Sequence, residues 1–292
     1  MLAWADPVSA PRRRGSRTRD SVRGDRVRSD RAFRVIDVAF TPADAKATDV
    51  AVVIDVLRAT TTATQALASG YHRVLCVDSL ERALRMRARG RVLAGEQQGK
   101  MPPGFDLGNS PADVAHDCAE ELVLATTNGA PTIVLASHRA PLVLLACLMN
   151  LDAVCSALSG VGDLQIVCSG TDGAAALEDV YVAGRLCAGL AGARTDAALV
   201  AEAVARAHPS AYDVLAASAN AQSLIAAGLG DDIDFCARES VLRVVPRVER
   251  TRPGLAIVVG HGGTVDLGGN VEAVRESTNP RSVRATEPQP SS

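Results

Sequence analysis

Residues 50–57 read VAVVIDVL, a nearly continuous apolar run that is rich in β-branched side chains. Such a run predicts a strand that is buried on both faces, as the strands of parallel sheets are. A segment of small residues follows, beginning at Thr60 and ending at Gly70, and it predicts a helix with a threonine cap and a glycine stop. This unit constrains the fold strongly, because its strand needs cover on both faces of the sheet.

The same alternation of short apolar runs and helical segments recurs along the chain. Strands are predicted at residues 73–77, 91–94, 122–125, 142–146 and 164–168, and helices at residues 79–89, 131–138, 151–158 and 177–191. Ser110, Pro111 and Asp113 carry the signals of another helix start. Repeated βα units predict an α/β fold with a largely parallel sheet that is flanked by helices.

The chain divides into three predicted regions. Residues 1–31 are Arg-rich without an apolar period, which predicts a disordered tail or, alternatively, a basic arm for RNA or a membrane. Residues 32–250 form the predicted α/β region. A strand-like segment at 241–245 lies at its end and another at 256–259 lies beyond it, and the two predict either a second, smaller lobe or the edge of the first sheet. Residues 251–292 are predicted to be a C-terminal extension that is largely disordered after residue 271.

Composition excludes several classes of protein. A content of 47% hydrophobic and 22% charged residues is typical of a globular chain, and a net charge of −2 gives no reason to expect nucleic-acid binding. Seven cysteines without a CxxC pair argue against a disulfide framework or a zinc site and fit a reducing cytoplasm. No apolar run approaches the ~18 residues that span a bilayer. We expect a cytoplasmic protein without a membrane partner, and a homodimer is compatible with this sequence.

Polar side chains follow the predicted strands at their carboxyl ends, where open α/β sheets bind ligands. The first strand is followed by Asp55, Arg58, Thr60, Thr61 and Thr62, and the third by Glu96, Asp106, Asn109 and Ser110. The fourth is followed by Thr126, Thr127 and Asn128, and the sixth by Glu178 and Asp179. We expect these side chains to meet at one edge of the sheet.

Several carboxylates beside one arginine favour a site for a hard cation and a phosphate. Arg58 offers a fork of donors for phosphate or sulfonate, and a helix N-terminus offers hydroxyl and N–H groups. We therefore predict that phosphoryl oxygens are held by Arg58, Thr60, Thr61 and Thr62. Mg²⁺ is predicted to be held by Asp55, Glu96, Asp106 and Asp179, and a small anionic phosphorylated substrate by Asn109, Ser110, Thr126, Thr127 and Asn128.

Several acidic and polar residues also have a purely structural interpretation. Asp78 and Asp113 are interpreted as helix caps, Glu178 and Asp179 suit a helix dipole as well as a metal, and Asn109 suits a turn. A solvated loop is the interpretation of Asp231, Asp232 and Asp234. Asp55 is harder to assign to structure, because a nearly buried carboxylate at the end of an apolar strand needs a metal or a cation.

Other phosphate-binding classes lack their signatures here. A haloacid-dehalogenase phosphatase needs a second Asp two residues after the first, and Leu57 occupies that position. The chain has no GxxxxGK[ST] loop. Cys76 and Arg82 match the CxxxxxR spacing of cysteine phosphatases, but the loop between them has no glycine and carries two acids.

The strand-end segments, taken in order, resemble the 2-phosphosulfolactate phosphatase family. The matching stretches lie at residues 53–62, 95–96, 104–111, 126–129, 150, 153–154, 170–171 and 178–179. The resemblance implies an α/β fold, Mg²⁺ dependence, and hydrolysis of 2-phospho-3-sulfolactate to sulfolactate on the route to coenzyme M. Two segments depart from the family pattern: Gln97 and Gln98 replace a charged pair, and Ala130-Pro131-Thr132 replaces a segment with a cation suited to a sulfonate.

Two functions follow from these patterns. The first is Mg²⁺-dependent hydrolysis of 2-phospho-3-sulfolactate or a related phosphorylated hydroxy acid, with either Asp55 or a metal-bound water attacking phosphorus. The alternative is a non-catalytic protein that senses a phosphorylated or sulfonated metabolite with the same pocket.

Overall fold

The computed structural model describes residues 32–116, 119–158, 160 and 162–262. The tail predicted at residues 1–31 and the disorder predicted after residue 271 lie outside these ranges. Across the ranges described, no helix is long and apolar enough to pass through a bilayer.

Ten strands form one sheet and nine α-helices surround it in the part of the chain that the structure describes. The strands are β1 Phe33–Ala39, β2 Val50–Ile54, β3 Arg73–Val77, β4 Arg91–Gly95, β5 Glu121–Ala125, β6 Leu142–Ala146, β7 Asp163–Cys168, β8 Gly192–Arg194, β9 Val244–Arg252 and β10 Leu255–Gly262. The helices are α1 Ala59–Ser69, α2 Leu80–Arg85, α3 Gly129–Ser137, α4 Leu151–Ala157, α5 Leu177–Gly189, α6 Asp196–Ala207, α7 Ala211–Ala217, α8 Ala219–Ala226 and α9 Asp231–Cys236. The predicted α/β fold is confirmed.

The sheet contains two groups of parallel strands. The strand order is β4-β5-β3-β10-β9-β6-β2-β7-β1-β8. The three-strand group β4-β5-β3 is parallel throughout, and so is the five-strand group β6-β2-β7-β1-β8. Strands β9 and β10 form an antiparallel hairpin between the groups, with β10 paired to β3 and β9 paired to β6.

The hairpin lies in the interior of the sheet, whereas the sequence predicted a second lobe or an edge for these segments. Strand β10 also lies beyond the boundary predicted at residue 250. Its residues Ala256 and Val258 are fully buried against helix α1 and strand β3, so they belong to the core of the α/β region. A local pattern identifies a strand but contains no information about its neighbours in a sheet.

Helices α1 and α3 contact strands of both groups. One apolar cluster joins Val53 of β2 and Leu145 of β6 to Leu124 of β5, with Ala63 of α1 and Ile133 of α3 between them. At about 25 cal/mol per Å² of apolar surface buried, a shared cluster of this kind holds the two groups together strongly. The carboxyl ends of both groups are thereby held around the start of α1 and the start of α3.

Local differences from the prediction involve four elements. Strands β1 and β8 were not predicted, and the helix expected after Ser110 is a single 3₁₀ turn at Asp113–Ala115. Helix α2 is six residues long and ends before the glycine that was expected to stop it. Strand β8 and the 3₁₀ turn are three residues long, which is too short to define a period, whereas β1 carries the buried apolar residues Phe33, Ile36 and Val38 and was overlooked.

Candidate active site

A cavity of about 410 Å³ opens where the carboxyl ends of the two strand groups meet. It is lined by segments that follow β2, β4, β5 and β7, together with one face of α8. Its polar lining consists of Asp55, Arg58, Glu96, Gln98, Asn109, Thr126, Thr127, Asn128, Thr171, Asp172, Asp179, Asn220 and Ser223. Among the residues predicted from sequence, it therefore brings together Asp55, Arg58, Glu96, Asn109, Thr126, Thr127, Asn128 and Asp179.

Asp55 lies between the starts of α1 and α3. Its Oδ1 accepts a hydrogen bond from the Ala59 amide at 3.0 Å. Its Oδ2 faces Gly129, where an added Cβ would come within 2.2 Å of that oxygen. Burial above all, and then repulsion from Glu96 and Glu178, raises the pKa of Asp55 to about 7. A glycine at the first residue of α3 thus gives the carboxylate its space.

Asp179 and Glu178 lie in the first turn of α5, both buried. Asp179 accepts hydrogen bonds from the amides of Val56 at 2.9 Å and Gly170 at 3.1 Å, so it joins the ends of β2 and β7. One oxygen of Glu178, Oε2, has no hydrogen-bond partner among the described residues. Burial raises the pKa of both carboxyl groups, and their mutual repulsion adds to the rise for Asp179. Three acids therefore crowd a region that has little solvent.

Glu96 joins two loops of the three-strand group. Its Oε1 accepts a hydrogen bond from the Thr127 amide at 2.7 Å, and its Oε2 accepts one from the Gly99 amide at 2.8 Å. Both carboxylate oxygens keep further lone pairs, because a carboxylate has about four acceptor positions. Glu96 can therefore hold the loops and still contribute an oxygen to a ligand.

Arg58 follows β2 and is buried together with its partner. Its Nη1 donates to Asp232 Oδ2 at 2.6 Å, and the two side chains are 3% and 6% exposed. Ser110 Oγ donates to the other oxygen of Asp232 at 2.5 Å. The interpretation of Asp232 as part of a solvated loop is wrong, because Asp232 lies in α9 and is buried against Arg58.

The hydroxyl groups of Thr60, Thr61 and Thr62 do not reach the cavity. Each donates to a backbone carbonyl: Thr60 to Asp55 and Ala146, Thr61 to Val56, and Thr62 to Asn109. All three side chains are fully buried. They fix the backbone around Asp55 and Asn109, which corrects the prediction that they hold phosphoryl oxygens.

Two other predicted residues lie away from the cavity. Asp106 forms an ion pair with Arg87 at 3.0 Å and accepts a hydrogen bond from the Leu93 amide, so its charge already has a partner. Ser110 lines a neighbouring cavity behind Arg58. The structure does not bring either side chain to the position that sequence predicted. Proximity along the loop after β4 gave no information about the direction of its side chains.

Comparison with known proteins places the chain in a family. The family model described as 2-phosphosulpholactate phosphatase matches residues 37–251. The chain belongs to the 2-phosphosulfolactate phosphatase family. Its class is therefore phosphoric monoester hydrolase, and every residue that lines the cavity falls within the matched range.

Relatives in this family cover most of the chain. A protein of Thermus thermophilus, named "Probable 2-phosphosulfolactate phosphatase", is 40% identical over 72% of this chain and 92% of its own length. One of Thermotoga petrophila with the same name is 36% identical over 73% of this chain and 94% of its own. The 2-phosphosulfolactate phosphatase of Methanothermobacter thermautotrophicus is 33% identical over 67% and 84%, respectively.

The cavity of this family member suits a hard cation in part. No cluster of three or more His, Cys, Asp or Glu side chains that would form a complete metal cage occurs in the described part of the chain. Mg²⁺ is commonly held by one or two carboxylates, with water and substrate phosphate completing its shell. Asp55 and Asp179 fit that requirement, because both line the cavity and repel each other electrostatically.

Several residues of this phosphatase-family site were not predicted from sequence: the lining residues Gln98, Thr171, Asp172, Asn220 and Ser223, and Asp232 behind Arg58. Asn220 of α8 lines the cavity and donates to the Leu57 carbonyl at 2.6 Å and to Glu178 Oε1 at 3.2 Å. Asp232 of α9 pairs with Arg58. Both come from the Ala-rich helical segment, which has no motif. The one available signal was that Asp232 precedes Ile233 directly and Cys236 by one helical turn, and both of these apolar residues are buried.

Proposed function

We propose that this chain is a Mg²⁺-dependent phosphatase that hydrolyses the phosphate monoester of a small hydroxy acid, 2-phospho-3-sulfolactate or a related compound. One observation carries the proposal, namely the charge of the cavity. Asp55, Glu96, Asp172 and Asp179 line it against one arginine, Arg58, whose charge is already paired with Asp232. An anionic phosphate ester is repelled by the ionised forms of these acids unless a cation accompanies it.

Asp55 and Asp179 are proposed as the residues that hold Mg²⁺, with Glu96 near enough to orient a bound water. When bound, Mg²⁺ supplies charge neutralisation for the phosphoryl oxygens and for the crowded carboxylates. It would also oppose the rise in pKa that burial imposes on both carboxyl groups.

The residues of the chain account for the remaining chemistry. Arg58 stabilises the negative charge that develops on the phosphoryl oxygens in the transition state. The start of α3 points at the same region, so its N-terminal dipole favours an anion there. The bond from phosphorus to the ester oxygen breaks while a bond to the incoming oxygen forms. That incoming oxygen belongs either to Asp55, in a covalent route whose aspartyl phosphate a water then hydrolyses, or to a water that Asp55 orients. In both routes one water is consumed, and its oxygen ends on phosphate while one of its protons ends on the released hydroxyl group.

The nature of the rest of the substrate follows from the names of the relatives and from the charges of the site. Relatives named for 2-phosphosulfolactate support a hydroxy acid that carries a sulfonate. The first turn of α3 presents Ala130 and Pro131, neither of which offers a cation. A phosphorylated hydroxy acid without a sulfonate is therefore the second candidate substrate.

A phosphate-release assay over phosphorylated hydroxy acids tests the proposal, with each ester supplied with and without a sulfonate. We expect turnover with Mg²⁺ or Mn²⁺, its loss in EDTA, and its return when Mg²⁺ is added. Asp234 is an exposed carboxylate of α9, so Asp234→Asn is a matched control that should keep full activity. Full activity in metal-free enzyme would contradict the metal assignment. Binding of the esters without turnover would favour a sensor over an enzyme.

A further inference from the structure

The guanidinium of Arg58 lies between the cavity and a group of carboxylates behind it. On the cavity side it is close enough to Asp55 to oppose the rise in pKa of that acid. On the other side it contacts Asp232 directly and lies near Asp113, whose pKa is raised by burial and by Asp232. The arginine is therefore held from behind by a residue that does not line the cavity.

Asp232 is itself fixed by its surroundings. Ser110 Oγ donates to its Oδ1 at 2.5 Å, and Arg58 Nη1 donates to its Oδ2 at 2.6 Å. Its neighbours Ile233 and Cys236 pack into the main apolar cluster, so helix α9 has little freedom to shift. A carboxylate with both oxygens engaged and a packed helix beneath it is a rigid anchor.

The same helical segment also holds the residue before Arg58. Asn220 of α8 donates to the Leu57 carbonyl at 2.6 Å. Two side chains thus hold the Leu57–Arg58 segment: Asn220 of α8 binds the Leu57 carbonyl, and Asp232 of α9 binds the Arg58 guanidinium. Such paired contacts are what a site needs when one side chain must stay in a fixed orientation.

Arg58 has donors left over. In the part of the chain that the structure describes, its guanidinium makes one hydrogen bond, through Nη1. An arginine side chain carries five N–H donors in a rigid fork. The donors of Nε and Nη2 therefore have no partner among the described residues, and Arg58 lines the cavity.

We propose that Asp232 is the positioning residue of the phosphate site: it holds Arg58 so that the free donors of the guanidinium face the phosphoryl group. The inference rests on the proposed function for the identity of the ligand. Asp232 and Ser110 do not contact the substrate in this scheme; they act by holding Arg58 in place. Helices α8 and α9 thereby become part of the phosphate site although they come late in the chain.

The sign of one measured change separates positioning from simple charge balance. If Asp232 acted only through its negative charge, Asp232→Asn would remove the charge that compensates Arg58. The net positive charge near the phosphate would rise, and phosphate would bind more tightly. If Asp232 acts by orientation, the same variant weakens binding, because an amide holds a guanidinium less firmly than a carboxylate does. Charge and orientation therefore predict opposite results.

The experiment measures binding of inorganic phosphate by calorimetry in the presence of Mg²⁺, together with kcat and KM for the best ester. We expect Asp232→Asn to weaken phosphate binding and lower kcat by about 10- to 100-fold, the range found when partners behind a metal ligand are removed. Ser110→Ala, which removes a single neutral hydrogen bond, should weaken binding about 3-fold. Asp234→Asn on the same helix is the matched control and should bind as wild type.

A double-mutant cycle then tests the route of the effect. In an Arg58→Lys background, the Asp232→Asn substitution should reduce phosphate binding and kcat little further, because the guanidinium that Asp232 orients is absent. Additive losses, tighter phosphate binding in Asp232→Asn, or no change in both Asp232→Asn and Ser110→Ala would overturn the proposal. Should Asp232→Asn fail to fold, Ser110→Ala and its cycle with Arg58→Lys decide alone.

The binding arm separates this inference from the proposed function. Wild-type protein that binds phosphate but hydrolyses none of the esters would contradict the phosphatase proposal and leave the Asp232 test intact. The opposite outcome is that wild type hydrolyses an ester and Asp232→Asn binds phosphate normally. That outcome would support the phosphatase proposal and contradict the positioning role of Asp232.

Discussion

The two strand groups contribute different chemistry to one cavity. The five-strand group supplies Asp55 and Arg58 after β2 and Asp179 after β7. The three-strand group supplies one acid, Glu96, whose oxygens hold two backbone amides, and the uncharged residues Thr126, Thr127 and Asn128. One group thus provides the crowded charges, whereas the other provides the wall and the helix start that faces them.

Strands β2 and β4 continue in different ways. Only four residues separate the end of β2 from the start of α1, so Asp55 and Arg58 have little freedom of position. Strand β4 instead enters a long loop, and its residues reach the cavity through hydrogen bonds made by Glu96. A short rigid turn suits groups that must be placed accurately, as at Asp55 and Arg58. The similarly short turn from β5 to α3 instead places uncharged residues, namely Thr126, Thr127 and Asn128. Substitutions in the five-strand group should therefore cost the most activity.

The largest effect is expected at Asp55. Asp55→Asn should lower kcat by roughly 10² or more, because under the proposed function it removes either the nucleophile or a metal ligand. The expected loss is the same for the covalent and the water route, so the measurement tests the five-strand group rather than the route. A variant with near-normal kcat would show that Asp55 serves the fold alone.

Stability of the metal-free protein gives an independent check on Asp55. An unfolded Asp titrates near pH 4, whereas burial raises the pKa of folded Asp55 to about 7. Between these values the folded protein binds the additional proton, so this group makes wild type less stable as pH rises through the window. We expect urea unfolding in EDTA to show that the free energy of unfolding of Asp55→Asn increases relative to that of wild type from about pH 4 to pH 7. Above about pH 7 the difference should stay constant. A purely structural carboxylate would give the reverse.

An intermediate effect is expected at Glu96 in the three-strand group. Glu96→Gln keeps the size of the side chain but replaces one acceptor oxygen with a donor, so it loses the hydrogen bond from the amide of either Thr127 or Gly99. We expect kcat to fall about 10-fold and the Mg²⁺ requirement to rise, the lower end of the range for groups around a metal. Titration of activity with Mg²⁺ measures both. A loss equal to that of Asp55→Asn would remove the distinction between the groups.

The smallest effect is expected at Thr127. Its side chain is exposed, and its contribution to the site is the backbone amide that Glu96 accepts. Thr127→Ala keeps that amide, and we expect kcat/KM to change less than about 3-fold, as for surface substitutions in general. Steady-state kinetics with the best ester measures it. A 10-fold loss would show that the uncharged wall contacts the reacting group.

Much of the sheet could be predicted from local pattern, because strands such as β3 and β6 are short apolar runs between turn residues. The pairing of β10 with β3 could not, since it joins residues far apart in sequence. The same limit applies to the site. Asp55 is conspicuous at the end of an apolar strand, whereas Asp232 reveals itself only through Arg58, 174 residues away. Residue spacing in the sequence therefore identifies polar groups at the end of one strand. It does not identify partners that only tertiary packing brings close.

The central position of the β9–β10 hairpin has a consequence for synthesis. Every residue that lines the cavity lies between Asp55 and Leu224, so a nascent chain carries the complete set before β10 has left the ribosome. Until then β3 exposes a strand edge that other chains can pair with. Premature termination near residue 250 would thus release a polypeptide with all its lining residues and an unprotected edge. We expect such a fragment to depend on chaperones and to aggregate without them.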